Sequence, residues 1–75
     1  MQRLTLEQVA DYLETATIEA TEELGPAIIH TGKRDGLYFV LVNTSEGASV
    51  LIEYERKLTA EEQSAALDQW LGITQ

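Results

Sequence analysis

The first third of the chain carries apolar side chains at three- and four-residue steps, a spacing that places them on one face of an α-helix. The members of this stripe are Leu6, Val9, Leu13, Ala16, Ala20 and Leu24. Thr5 and Gln8 have the spacing of a capping box, and Gly25 followed by Pro26 is typical of a helix C-terminus. The pattern therefore predicts an amphipathic helix over residues 5–24.

The middle of the chain changes to short apolar or alternating runs separated by turn residues, which predicts an antiparallel sheet. The predicted strands are 27–31, 37–42 and 48–56, and the turns between them are 32–36 and 43–47. Asp35-Gly36 is a strong hairpin signal, because both residue types tolerate the positive φ angles of a tight two-residue turn. The three strands are therefore expected to pair in chain order.

A second helix is predicted over residues 59–71. Thr59 and Glu62 repeat the capping-box spacing, and Gly72 can end the helix. Its expected buried side consists of Ala66, Leu67, Trp70 and Leu71. The predicted fold is α+β, a single small domain over 1–75 in α-β-β-β-α order. Its three-stranded antiparallel meander has two helices packed on one face.

This arrangement leaves the other face of the sheet open. A symmetric 43–47 turn places Val40 opposite Val50 and Tyr38 opposite Ile52, and this side makes the better core. The opposite side carries Leu37, Phe39, Leu41 and Leu51, bordered by Glu53 and Glu55. We consider two interpretations: a helix covers this face too or the register is slipped by one, or the face binds a second copy or another partner.

Charge adds a second candidate surface. The formal net charge is −8, from 13 acidic and 5 basic side chains, which disfavours direct binding to nucleic acid or anionic membranes and favours a basic protein partner. The predicted first helix carries Glu7, Asp11, Glu14, Glu19, Glu22 and Glu23. Its acidic face is either a docking surface for a basic groove, or solvated and neutralised by basic residues that fold back against Glu22 and Glu23. The candidates for that role are Lys33, Arg34, Arg56 and Lys57.

Candidate chemistry is sparse. The chain has no cysteine and one histidine, His30, so we expect no metal site, no cofactor and no catalytic site. A remote alternative is a small enzyme that uses His30 with Glu53 or Glu55 for acid–base chemistry. The lack of cysteine, of a signal peptide and of a long apolar run predicts a cytoplasmic protein.

The predicted α-β-β-β-α order resembles that of double-stranded-RNA-binding domains. That family has a lysine-rich start to its second helix, where this chain has Thr59, Ala60, Glu61 and Glu62, so RNA binding is not expected. In size and acidity the chain also resembles small phage-encoded inhibitors of restriction or CRISPR enzymes, and small secretion-chaperone adaptors.

The sequence predicts a non-catalytic acidic interaction module, either an adaptor or an inhibitor. Its expected partner is a basic protein, for example a nucleic-acid enzyme. The alternative is a structural homodimer or complex subunit that associates through the open apolar face of the sheet.

Overall fold

A computed structural model describes residues 2–43 and 49–74 of the chain. Its elements are β1 (Gln2–Arg3), α1 (Leu6–Thr15), β2 (Thr17–Leu24), β3 (Ala27–Arg34), β4 (Leu37–Asn43), β5 (Ser49–Tyr54) and α2 (Ala60–Thr74). The strands form a five-stranded sheet in the order β1-β5-β4-β3-β2, and every neighbouring pair is antiparallel. The predicted three-stranded meander in α-β-β-β-α order is therefore wrong, and the order shared with double-stranded-RNA-binding domains is not present.

The largest correction concerns the predicted helix over 5–24, which ends at Thr15. Residues 17–24 form β2 and pair with β3 along almost their whole length. Thr17, Ile18 and Thr21 are β-branched, which favours a strand over a helix. The Gly25-Pro26 pair does not end a helix but forms the two-residue turn between β2 and β3. Gly25 has a φ of 59°, and the first central position of a type II′ turn requires a positive φ.

The capping box at the start of α1 is confirmed. Thr5 Oγ1 accepts a hydrogen bond from the Gln8 amide at 3.2 Å, and Gln8 Oε1 accepts one from the Thr5 amide at 2.8 Å. These two bonds satisfy amide groups that have no partner within the helix. Before them, Gln2 and Arg3 pair with Leu51 and Val50, a short strand that the sequence pattern did not predict.

The central hairpin signal at Asp35-Gly36 is also confirmed, but the predicted turn over 32–36 is too long. Strand β3 continues past the predicted end at 31 to Arg34 and pairs with β4 up to the two-residue turn. Asp35 and Gly36 have φ angles of 52° and 80°, as a type I′ turn requires. The turn predicted at 43–47 lies almost entirely in 44–48, outside the described residues.

The predicted register between β4 and β5 is wrong by two residues. Val40 lies opposite Ile52 and Tyr38 lies opposite Tyr54. A shift of two preserves the face on which each side chain lies, so the predicted division of the sheet into two sides is retained.

The two helices pack on opposite faces of the sheet, not on one. On one face Leu58 and Leu67 pack against a core of Ala27, Ile29, Val40, Val42 and Val50. On the other face α1 covers Phe39, Leu41 and Leu51 with Val9 and Tyr12. The physical reason is the composition of β4, which is apolar on both sides and therefore needs cover on both.

The second helix begins as predicted, with reciprocal hydrogen bonds between Thr59 and Glu62. It runs through the predicted stop at Gly72 to Thr74. Leu67 is half-buried against the sheet, in agreement with its predicted position. The side chains of Ala66, Trp70 and Leu71, also predicted to be buried, lie outside the part of the chain that the structure describes.

Candidate functional site

The six acidic residues assigned to one helix lie on two different elements. Glu7, Asp11 and Glu14 are on α1, and Glu19, Glu22 and Glu23 are on β2. All six are exposed. The structure thus replaces the predicted acidic helix face with two separate acidic groups, one on a helix and one on the edge strand of the sheet.

Strand β2 is exposed along its whole length, at the opposite end of the sheet from β1. Its two large apolar side chains, Ile18 and Leu24, are 43% and 48% exposed. Edge strands present unpaired backbone amide and carbonyl groups, and charged side chains on such a strand commonly block uncontrolled pairing. The three glutamates of β2 lie along such an edge, where they disfavour pairing with another acidic strand.

The glutamates of β2 point to different sides of the sheet. Glu22 lies opposite Ile29, which belongs to the core on the α2 side. Glu23 is the next residue and so faces the α1 side, because successive side chains of a strand alternate. The pairing shifts between Ile18 and Ala20, which leaves Glu19 at a β-bulge.

Gly32 permits the close approach of β2 to β3 next to this bulge. A Cβ atom added at Gly32 would lie 2.0 Å from the carbonyl oxygen of Thr17 and 3.0 Å from Cα of Ile18. Any side chain there would push the first residues of β2 away from the sheet. The position of the acidic edge strand thus depends on a glycine in the neighbouring strand.

The basic side chains make contacts elsewhere in the fold. Arg56 forms a two-point ion pair with Glu62, the one ion pair among residues 2–43 and 49–74, with nitrogen–oxygen distances of 2.7 and 2.9 Å. The Nε atom of Arg34 donates to Thr15 Oγ1 at 2.7 Å, and the Lys33 ammonium lies 4.6 Å from the centre of the Tyr38 ring. These contacts leave Glu22 and Glu23 without the ion pairs that the fold-back interpretation required.

Lys57 is the fourth basic candidate for neutralising the acidic strand. It lines a shallow cleft beside the bulge together with Glu19, Tyr38 and Gln63. The two charged side chains share this cleft without forming an ion pair. Glu19 is therefore in a less acidic setting than Glu22 and Glu23, which lie further along the strand.

The sheet face predicted to bind a partner is the docking site of α1. Phe39 and Leu41 have no exposed surface, and Leu51 is 2% exposed. Leu37 is half-buried, and Glu55 is exposed beyond the end of β5. The interpretation in which a helix covers this face describes the structure, so these apolar side chains are not available to a partner.

Tyr12 anchors α1 to this face. Its hydroxyl donates a hydrogen bond to Glu53 Oε2 at 2.9 Å, its ring packs edge-on against Phe39, and the Arg34 guanidinium lies 4.5 Å from its ring centre. Burial, followed by the hydrogen bond to Glu53, raises the pKa of Tyr12 above its ordinary value. A hydroxyl whose proton is held this firmly is suited to fixing the helix rather than to exchanging protons at neutral pH.

His30 is not brought together with either predicted carboxylate partner. Its Nδ1 atom lies 3.1 Å from Thr21 Oγ1 on β2, whereas Glu53 is on β5 and binds Tyr12. Strand β4 separates the strands that carry the two residues. Partial burial lowers the pKa of His30, which favours the neutral ring. The geometry of the described residues therefore does not support acid–base chemistry by His30 with Glu53 or Glu55.

Two further searches of residues 2–43 and 49–74 gave negative results. No group of three His, Asp or Glu side chains is placed to hold a metal ion. Neither helix in these ranges is long and apolar enough to cross a membrane. Comparison of the chain with protein-family models, with curated proteins and with solved structures finds no match.

The sequence pattern missed β2 as an edge strand, although it contained a usable signal. Thr17, Ile18 and Thr21 form a β-branched run in the second half of the predicted helix. Such a run lowers helix propensity and favours an extended chain. This β-branched signal conflicts with the four-residue spacing of the apolar stripe. If the β-branched signal is given more weight, Glu19, Glu22 and Glu23 are assigned to a strand.

Proposed function

We propose that this protein is a non-catalytic acidic interaction module, an adaptor or an inhibitor, that binds a basic protein partner. The observation that carries the proposal is the exposed strand β2, whose three glutamates form no ion pair among the described residues. Three of the four basic side chains that could have neutralised Glu22 and Glu23 contact other parts of the fold, namely Lys33, Arg34 and Arg56. The fourth, Lys57, shares a cleft with Glu19 and forms no ion pair among the described residues. This distribution leaves a negative potential at one edge of the sheet, where it can attract and orient a basic surface.

A basic groove that normally holds DNA or RNA is a suitable class of partner. Carboxylates placed in such a groove compete with phosphates for the same Lys and Arg side chains. In this proposal the protein binds no nucleic acid itself, has no cofactor and acts in the cytoplasm, a reducing compartment that suits a chain without cysteine. The homodimer through the apolar face of the sheet is not carried forward, because α1 covers that face.

The proposal is tested with two variants of equal charge change. The β2 variant carries Glu19→Gln, Glu22→Gln and Glu23→Gln, and the α1 variant carries Glu7→Gln, Asp11→Asn and Glu14→Gln. A tagged wild-type chain captures partners from the host lysate at low salt, and the retained protein is then purified. Its affinity for the wild type and for both variants is measured by calorimetry in 50 mM and 500 mM NaCl.

We expect a basic partner whose affinity falls with salt, because exposed charge pairs are screened. The β2 variant should lose most of this affinity, and the α1 variant should lose less. A partner whose affinity depends neither on salt nor on either set of carboxylates would contradict the electrostatic mechanism. Failure to retain any partner above the level of an untagged control would contradict the proposed function.

A further inference from the structure

We propose that β2 binds an extended basic segment of the partner as an additional strand of the sheet. This inference rests on the proposed function and specifies how the partner is held. Strand β2 is an edge strand whose eight residues are all exposed, and the helices cover other strands: α2 contacts β4 and β5, and α1 packs on side chains of β4 and β5. Beyond the bulge, both faces of β2 are therefore accessible, since residues 20–24 are all exposed.

The pairing surface is the regular part of the strand. The bulge at Glu19 interrupts the pairing with β3, whereas residues 20–24 pair with β3 without a break. An added strand needs a regular edge, because its backbone hydrogen bonds repeat every two residues. The segment that docks is thus expected to pair with 20–24, next to the turn at Gly25.

The glutamates of this regular part define the charge pattern of the segment. Glu22 and Glu23 are consecutive, so one lies on each face of the sheet. Side chains directly opposite each other on neighbouring strands share a face and interact. Two consecutive Lys or Arg residues in the docked strand would therefore each meet one glutamate. An apolar residue next to this pair would contact Leu24, which is 48% exposed.

The same charges argue against a second copy of this chain as the occupant. Two β2 strands in full antiparallel alignment, with Thr17 opposite Leu24, place Glu19 of each copy opposite Glu22 of the other. Pairing of the regular parts alone, 20–24 with 20–24, places Glu22 of one copy opposite Glu22 of the other. Like charges directly opposite each other destabilise a strand pair. A basic segment removes this repulsion and replaces it with attraction.

The test uses a synthetic peptide, TTVKRTVT, with acetylated and amidated ends. In the antiparallel register its Lys and Arg lie opposite Glu23 and Glu22, and its valines lie opposite Leu24 and Ala20. The peptide is titrated into the ¹⁵N-labelled full chain in 20 mM NaCl, and amide shifts are followed by NMR. We expect the shifts to concentrate in residues 20–24 and their β3 neighbours.

Two N-methylated peptides provide the test of backbone pairing. One peptide is methylated on the backbone amides of every second residue, and the other is methylated on the amides of the residues in between. In a strand added to β2, one set of amides faces β2 and the other faces solvent. We therefore expect one peptide to lose binding and the other to retain it. Equal affinities of the two methylated peptides would overturn strand addition.

Matched variants of the protein separate the two acidic groups. Glu22→Gln with Glu23→Gln is expected to weaken peptide binding by about 2- to 30-fold, the effect of two cross-strand charge pairs. Glu7→Gln with Asp11→Asn, the same charge change on α1, should leave the affinity unchanged. Shifts confined to α1, or no binding by any peptide, would overturn strand addition. The proposed function is judged separately by the affinities of the purified partner for the triple variants, so the two failures are distinguishable.

Discussion

At the scale of single residues, two positions determine how the outer elements attach to the sheet. Gly32 allows β2 to approach β3 at the bulge, and Tyr12 joins α1 to β5 through its hydrogen bond to Glu53. Both residues decide where the acidic groups lie, because Glu19 is at the bulge opposite β3 and Glu7 is carried by α1.

Replacing Gly32 with Ala should destabilise the fold by about 1–3 kcal/mol, the range for overpacking a close contact. The added methyl group would meet the Thr17 backbone, which cannot rotate away as a side chain can. The free energy of unfolding is measured by urea titration. Gly72→Ala is the control, because nothing lies within 4 Å of its added Cβ atom and alanine favours the helix by about 0.5–1 kcal/mol. Equal stabilities of the two variants would contradict the contact at Gly32.

Replacing Tyr12 with Phe should cost about 1 kcal/mol, because the ring is kept and only the hydrogen bond to Glu53 is lost. The raised pKa of Tyr12 predicts a further difference in alkaline solution. Its contribution to stability is complete below the pKa of an unfolded tyrosine, about 10, and is lost as pH rises towards the higher folded value. Between pH 9 and 11 the wild type should therefore lose more stability than Tyr12→Phe in urea titrations. Parallel plots of stability against pH for the two proteins would contradict the raised pKa of Tyr12 in the folded state.

At the scale of elements, both helices begin with a capping box, but the residue that accepts the reciprocal hydrogen bond differs between them. Both have a Thr whose side chain accepts from the amide three residues later. In α2 the reciprocal acceptor is Glu62, which also forms the ion pair with Arg56. The start of α2 is thus sensitive to pH in a way that the start of α1, with Gln8 in the same position, is not.

The hydrogen bonds from Arg56 and from the Thr59 amide lower the pKa of Glu62 from its usual 4.5 to about 2. Its contribution to stability is therefore complete above the unfolded value and is lost as pH falls towards 2. Arg56→Gln should move the pKa of Glu62 back towards its usual value, as measured by NMR titration of the side-chain carboxyl carbon. Arg3→Gln on β1 is the control and should leave that titration unchanged. A pKa of Glu62 that does not move in Arg56→Gln would contradict the role of the ion pair.

At the scale of the whole molecule, the dominant electrostatic feature is the excess of negative charge. The described fold has a radius of gyration of 11.1 Å, so its carboxylates repel one another over short distances. In 20 mM NaCl the screening length of about 20 Å exceeds this radius, whereas in 0.5 M NaCl it falls to about 4 Å. Self-repulsion of this kind destabilises a compact state.

We therefore expect the free energy of unfolding to rise between 20 mM and 0.5 M NaCl. The rise should be smaller in Glu22→Lys with Glu23→Lys, since each change adds two positive units to the formal net charge of −8. Urea titrations at both salt concentrations measure the difference. Ser64→Thr with Gln69→Asn, two substitutions at exposed positions of α2 that leave the net charge unchanged, serves as the control. A stability of the wild type that is independent of salt would contradict this prediction.

The limits of prediction from the sequence are clearest at the junction between α1 and β2. Ala16, Ala20 and Leu24 are spaced by four residues, and a step of four lies on one face of a helix and also on one face of a strand. Gly25-Pro26 is equally ambiguous, because it can end a helix or form a hairpin turn. The local sequence pattern is compatible with both a helix and a strand over residues 17–24. Pairing with β3 determines that this segment forms a strand.

Other features could be predicted because one local interaction dominates each of them. The turn at Asp35-Gly36 depends on positive φ angles, and the helix starts at Thr5 and Thr59 depend on capping bonds. The acidic residues were recognised as candidates, but their division between a helix and an edge strand was not. That division follows from tertiary pairing, which a charge pattern does not encode.

The order of strands in the sheet has a consequence for the kinetics of folding. Strands β2 to β5 pair with their neighbours in the chain, and contacts between near neighbours form fast. The contact of Tyr12 with Glu53 closes a loop of 41 residues, so α1 is expected to dock after the hairpins. Val9→Ala should then raise the unfolding rate and leave the folding rate nearly unchanged, whereas Val40→Ala should slow folding. Stopped-flow fluorescence measures both rates, and slower folding of Val9→Ala would place α1 in the transition state instead.

An element that docks last is also expected to detach first when the folded protein fluctuates. Each detachment of α1 would uncover Phe39, Leu41 and Leu51 while the hairpins remain paired. The short helix therefore governs how often this apolar surface meets water, and with it the rate at which partly open molecules can aggregate.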